Sequence, residues 1–388
     1  MSDEVRRLPL PEVSDLIVPG EPLPFKVLDA QGRLLLAAGQ VIVDARQLEA
    51  LLERGACVEY LEAEAVRSAR AGAAQAGAVV ANRRVRNLFD RWEESLWTLD
   101  KLLRTLGRDP GQATAIEAYA DDFIQLVDRE PDVALFLCLR QDDRRFALYA
   151  LAHALHSGTV ALLSARLLGW PAAQVQCAVR VALTMNASIV ELQARMAEQP
   201  DPPSKKQLDE IRAHPQRSAQ LLRSSGVVDA AWLLGVEEHH EQPNGSCYPK
   251  GSKTPGDVAR LVRAADVYMA KISPRALRAP MPPQLAARQL FQEEAGGPIA
   301  AALIRAVGIY PPGDFVRLRS GEAAIVLRRA AAGAGTVVVA LLDAKGRLVP
   351  GAPKRDTALP EFAIAGALAE RAGLPRVLPE QVYGVLAP

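Results

Sequence analysis

The chain is 388 residues long, enough for two or three domains at roughly 100–200 residues each and well beyond a scaffold that needs disulfide staples. Its 46 Lys and Arg balance 45 Asp and Glu, so a formal net charge of +1 excludes a whole-protein footprint for nucleic acid or an anionic membrane; any anion site must be local. Cys57, Cys138, Cys177 and Cys247 are far apart and form no CxxC pair, which argues against a thiolate zinc site and fits a reducing compartment.

The opening residues, MSDEVRRLPLPEV, hold no apolar stretch of signal-peptide length. Residues 1–62 read as a small α/β domain. Apolar runs at residues 25–28 and 34–36 flank Asp29-Ala30-Gln31-Gly32, a hairpin signal in which Gly32 can take a positive φ, and residues 41–43 form a third short strand. Asp44 then caps a helix with Leu48, Leu51 and Leu52 on one face, and Gly55 ends it. The word LDAQGRL at residues 28–34 returns as LDAKGRL at residues 342–348 with flanks that do not match, so it reads as two hairpins solving one turn problem rather than a repeat.

Residues 63–110 read as a linker and a coiled-coil-like helix. The alanine-rich tract at residues 71–81 is too short, and too close to Arg67, Arg70, Arg83 and Arg84, to span a bilayer. Val85, Phe89, Trp92, Leu96, Leu99, Leu103 and Leu106 then alternate steps of four and three over about three heptads. This stripe serves either a helix packed on its own domain or the seam of a homodimer through residues 85–106. Residues 111–306 have helical periodicity throughout, broken at Pro131, Pro171 and the stretches 199–203 and 243–255. Beyond Pro311-Pro312-Gly313 the pattern turns to short apolar runs at 315–318, 324–327 and 337–342, so residues 307–388 read as a β-rich extension closed by a helix over residues 363–372. The expected fold class is mainly α: an all-helical domain flanked by a small N-terminal α/β unit and a C-terminal β-containing extension.

The five histidines all lie between His153 and His240, and the function is sought there. Metal sites on helices need several His and carboxylates converging, because imidazole and carboxylate suit Fe, Mn or Zn and an Asp can bridge two ions around a shared hydroxide. The candidates are His156, His214, His239, His240 and Asp266; His153 reads as a surface or satisfied core residue. The rings of adjacent His239 and His240 would point about 100° apart on one helix, so both reach metal only at a helix end or if two ions are present.

The string His239-His240-Glu241-Gln242-Pro243-Asn244-Gly245-Ser246-Cys247-Tyr248-Pro249 resembles the hallmark of the HD-GYP family within the HD-domain phosphohydrolases, which is HHE, two variable residues and Asp-Gly-x-Gly-Tyr-Pro. His156-Ser157 with Val160 is similar to the family's first-helix His, and Ile211-Arg212-Ala213-His214-Pro215 to its His-Pro step. The stretch around Asp266 resembles the Asp-bearing helix, and Ser273 to Arg278 the segment with two arginines, so the resemblance covers roughly residues 130–310. Active members hydrolyse the bacterial messenger cyclic di-GMP with two or three metal ions, commonly iron or manganese. The resemblance implies an all-helical HD-type domain, metal ligands at His156, His214, His239, His240 and Asp266, phosphate contacts at Arg275 and Arg278, and a signature loop with Glu241, Gly245, Tyr248 and Pro249.

One stretch departs from the family. Where the motif has His-Asp-x-Gly-Lys, this chain has Met185 for the His, Asn186 for the Asp and Ser188 for the Lys. A neutral amide lacks the charge to hold two cations together, and a thioether is a poor partner for hard iron or manganese. Without a dinuclear centre the attacking water is not held between two cations and its pKa falls less. In the loop, Asn244 replaces Asp and Cys247 replaces Gly; if position 247 needs a positive φ, the Cys costs strain or reshapes the loop. The expectation is a non-catalytic signalling or regulatory module of cyclic di-GMP signalling, in the cytoplasm, carrying no metal or one divalent Fe or Mn. Its partners would be cyclic di-GMP and a signalling protein, with no nucleic acid and no membrane span. The alternative is an active metal-dependent phosphodiesterase with a reduced, mononuclear site.

Overall fold

The structure is a computed structural model and describes residues 7–17, 21–42, 45–67, 87–140, 148–330, 335–368, 374–375 and 377–384. It divides into two compact units, residues 1–85 and 86–388.

In the first unit, strands β1 (Arg7–Pro9), β2 (Val27–Leu28), β3 (Leu34–Leu36) and β4 (Cys57–Glu59) form an antiparallel sheet in the order β1-β4-β2-β3, accompanied by α1 (Ala45–Glu53). Phe25, Val27, Ile42 and Val58 are its buried centre. The strand expected at residues 41–43 is reduced to one bridge between Val41 and Pro22. Beside that bridge Leu23 N–H donates to Gln40 O at 2.7 Å, and the chain turns away at Gly39, φ +86°, whose N–H donates to Leu23 O at 2.8 Å. Val43 and Asp44 lie outside the described residues. The two matching words do form the same turn. Asp29 N–H donates to Arg33 O and Asp343 N–H to Arg347 O, both at 2.8 Å. Oδ1 of each Asp accepts the N–H groups two and four residues on, with Gly32 at φ +84° and Gly346 at φ +76°.

The second unit opens with α2 (Leu88–Thr105), started by a reciprocal Asn87–Asp90 capping box. Leu96, Leu99 and Leu103 join the core formed with α3 (Gln112–Arg129) and α4 (Pro131–Arg140), while Trp97 on another face is 49% exposed. These leucines of the stripe thus pack within their own unit, as the first of its two readings has it, and Val85 falls outside the described residues. At the centre lies α5 (Tyr149–Leu167), buried on nearly every side, against α6 (Ala172–Thr184), α10 (Asp257–Ile272) and α12 (Pro298–Val307). Between them run α7 (Val190–Glu198), α8 (Lys205–Ser224), α9 (Ala230–Glu238) and α11 (Pro283–Glu293). Gly235 lets α9 close on α6, since a Cβ there would stand 2.6 Å from a methyl of Val181. That approach sets the end of α9, with His239, against the core. The stretch Ala172–Glu198 is apolar and long enough to cross a membrane by composition, but its apolar 18-residue window is 72% buried inside the protein, as in a core helix.

The β-containing extension is a five-stranded antiparallel sheet in the order β8-β7-β6-β5-β9, built from β5 (Phe315–Leu318), β6 (Ala323–Arg328), β7 (Val337–Leu342), β8 (Lys354–Asp356) and β9 (Ile364–Ala367). Here the helix expected over residues 363–372 gives way to β9, with residues 369–373 outside the description. The edge of β5 offers unpaired backbone groups, and the chain satisfies them: Arg319 N–H donates to Ala363 O and Leu368 N–H to Phe315 O. A short helix, α13 (Pro379–Tyr383), places Tyr383 edge-on to Phe136 of α4, and its hydroxyl donates to Leu327 O. The fold is mainly α, as expected.

Candidate metal centre

The His-Pro step in α8 has a local physical cause. Pro215 has no N–H for the carbonyl of Ile211 four residues back, and the Nδ1–H of His214 donates to that carbonyl at 2.5 Å. His239 ends α9, where helix carbonyls lose their partners, and its Nδ1–H donates to Val236 O at 2.7 Å. Both tautomers are set by these bonds, which leaves both Nε2 atoms as lone-pair acceptors. They face each other at 3.0 Å. Burial, and then the neighbouring His239, pushes the pKa of His214 down to about 3, and burial also lowers that of His239. Two neutral acceptors this close repel unless a cation sits on them. His240 completes the group: a ligand nitrogen from each of His214, His239 and His240 lies within 4.8 Å of the others, and the ring of Tyr248 lies over His240 at 4.6 Å. The donor set fits one divalent transition ion.

Beside the triad is a cavity of about 210 Å³ reached by Asp266 of α10 and His153 of α5. Nε2–H of His153 donates to Asp266 Oδ1 at 2.6 Å, while its Nδ1 is buried without a partner. Burial pushes the Asp266 carboxyl up, but the His153 bond and the surrounding imidazoles outweigh it and hold it well below the usual carboxylate range. His153, expected to be a surface or satisfied core residue, is thus the histidine of α5 that lines the cavity, and His156 one turn on is not. The sequence offered both at a spacing of three on a helix that is apolar all round, so no polar face marked which one addressed the cavity. Tyr149 of the same helix and Gln193 and Met196 of α7 line it too, and no motif singled them out.

The departing stretch follows α6. Met185 is fully buried in the hydrophobic core, and Asn186 lines the cavity. Ser188 does not: its hydroxyl pairs with Ser218 and donates to His214 O at 3.2 Å. Ile189 lines the cavity instead, and it is Ile189 that stands fifth in Met185–Ile189, where the motif has Lys. The two arginines also separate. Arg275 lines the cavity, whereas Arg278 turns back to cap the end of α10 by donating to Ala270 O.

In the signature loop, Glu241 is 1% exposed and accepts the N–H of Lys250 at 2.6 Å and of Ser252 at 2.8 Å. It staples the loop rather than facing the triad. Positive φ falls on Gly245 (+69°) and Gly251 (+68°), and Cys247 has none, so the Cys for Gly exchange carries no backbone strain. Glu241→Gln, which leaves one of the two N–H groups facing an amide donor, is expected to cost about 1–3 kcal/mol and to expose the loop to protease. A thermal melt and limited proteolysis check this; unchanged melting and cleavage would remove Glu241 from that role.

No family model matches the chain. It is 32% identical over 123 residues, 31% of its length, to a cyclic di-GMP phosphodiesterase of Pseudomonas aeruginosa, and this match spans 30% of that relative. A solved structure, an HDG"Y"P protein from Bdellovibrio bacteriovorus, aligns at a TM-score of 0.46 and 14% identity, covering 77% of this chain and 97% of that one. The resemblance to HD-GYP proteins read from the sequence is borne out.

Proposed function

We propose that the chain is a degenerate HD-GYP protein of cyclic di-GMP signalling that holds the dinucleotide without cleaving it, in the cytoplasm, and passes its state to a signalling protein. The observation that carries this reading is an imbalance. Three imidazoles converge for one ion, while the side that would complete a second site offers Asn186, Ile189 and an Asp266 already held by His153. The resemblance to a cyclic di-GMP phosphodiesterase supports the ligand class.

His214, His239 and His240 would hold the metal, most suitably Fe(II) or Mn(II). A bound ion would supply Lewis acidity toward a phosphoryl oxygen. The remaining work falls to this chain's own groups: Tyr248 shields His240, and Arg275 presents positive charge to the cavity. The lone-pair contact between His214 and His239 favours metal retention, which keeps a mononuclear phosphodiesterase as the second reading.

After loading with Mn(II) or Fe(II), elemental analysis is expected to return one ion per chain, lost on His239→Ala. Two ions per chain would overturn the reading, because a dinuclear centre restores the hydrolytic machinery.

A further inference from the structure

Arg275 is held in an unusual way. Its Nε–H and an Nη2–H both donate to the hydroxyl of Tyr149, at 3.0 and 2.5 Å, and its guanidinium lies 4.9 Å from the centre of that ring. Tyr149 in turn stacks on His153, with ring centres 5.6 Å apart and planes 8° from parallel, and His153 is bonded to Asp266. The loop bearing Arg275 is pinned as well: Arg275 and Arg278 exchange backbone hydrogen bonds, and Ala276 N–H donates to Ala197 O at 2.8 Å. Backbone and side chain of Arg275 are therefore both fixed before any ligand arrives.

Guanidinium has five N–H donors in a planar fork. Tyr149 occupies the Nε edge, and the Nη1/Nη2 edge is left for a two-point contact with an oxyanion, the geometry that phosphate prefers. The hydroxyl proton of Tyr149 is not consumed by these bonds, since its oxygen is the acceptor. The cavity thus carries a prearranged anion receptor in Arg275, with Tyr149 holding it.

We infer that Tyr149 is a positioning residue that presets Arg275 as the phosphate receiver of the cavity, so that a phosphodiester is gripped by a fixed guanidinium. This rests on the function proposed above. An arginine that must be ordered at binding forfeits affinity to its lost rotamers, and prearrangement removes that cost.

The test is a double-mutant cycle read by calorimetric titration of cyclic di-GMP into the metal-loaded protein. Tyr149→Phe keeps the ring and its stack on His153 but removes the acceptor; it is expected to weaken binding about tenfold, and Arg275→Ala about a hundredfold. The double variant is expected to bind no more weakly than Arg275→Ala alone, because Tyr149 acts through Arg275. Metal content of one ion per chain and the melting temperature, followed in all three variants, separate this from a general loss of structure. Tyr149→Phe binding like wild type, or additive losses in the double variant, would overturn the positioning role and leave the proposed function standing. Wild-type protein that binds no cyclic di-GMP would overturn both.

Discussion

Metal-loaded protein incubated with cyclic di-GMP is expected to return the dinucleotide intact, with turnover roughly 10⁴-fold or more below a two-metal phosphodiesterase, taking ~10²–10³ for each lost electrostatic stabiliser. Two such stabilisers are missing. A second cation would need a bridging carboxylate, and the cavity presents the neutral amide of Asn186 in its place. A cationic side chain where the motif has Lys would neutralise developing charge, and Ile189 offers a hydrocarbon surface. Met185 compounds the loss, because it is packed into the core and not available to the cavity. At about 1.4 kcal/mol per factor of ten, the deficit amounts to ~5–8 kcal/mol of transition-state stabilisation. Chromatography of the nucleotide after prolonged incubation measures it. Steady turnover that vanishes in His240→Ala would show that one ion suffices and would establish the mononuclear enzyme instead.

Acid is expected to destabilise the helical unit steeply, and His156 provides a way to isolate one cause. Burial, and secondarily the neighbouring His153, pushes its pKa from the ordinary 6.5 down to about 3. In that window the unfolded chain takes up a proton that the folded chain refuses, so stability is full above the unfolded pKa and is lost as pH falls. The slope is about 1.4 kcal/mol per pH unit for this one group. His156→Leu removes the titration, so its unfolding free energy should fall less steeply with acid than that of wild type, by one proton's worth. Urea unfolding followed between about pH 4 and 6.5 gives both slopes. Parallel slopes would mean that His156 is protonated in the folded protein after all.

The triad was legible in the sequence because each of its parts is local. A proline directly after His214 forces that ring onto the Ile211 carbonyl, and the adjacent pair at a helix end puts His239 and His240 where both can turn toward one point. The twin turns at Asp29 and Asp343 were legible for the same reason, since an Asp, a Gly and a two-residue spacing specify their own hydrogen bonds. So was the mainly helical class, carried by periodicity over nearly two hundred residues.

Packing decided the rest. On α5, apolar on every side, nothing in the order of residues distinguishes His153 from His156; the answer comes from where α10 lays Asp266. Ser188 and Ile189 are neighbours, and a turn of backbone after α6 sends one to Ser218 and the other to the cavity. Arg275 and Arg278 look equivalent in sequence until Tyr149, over a hundred residues away, takes one and the end of α10 takes the other. Residues 364–367 pass for helix by composition and become β9 because the open edge of β5 supplies partners for their backbone. In each case the sequence alone determines which groups are present and how their own backbone bends, while the direction a side chain faces depends on elements distant along the chain, through burial and hydrogen bonds that exist only once those elements meet.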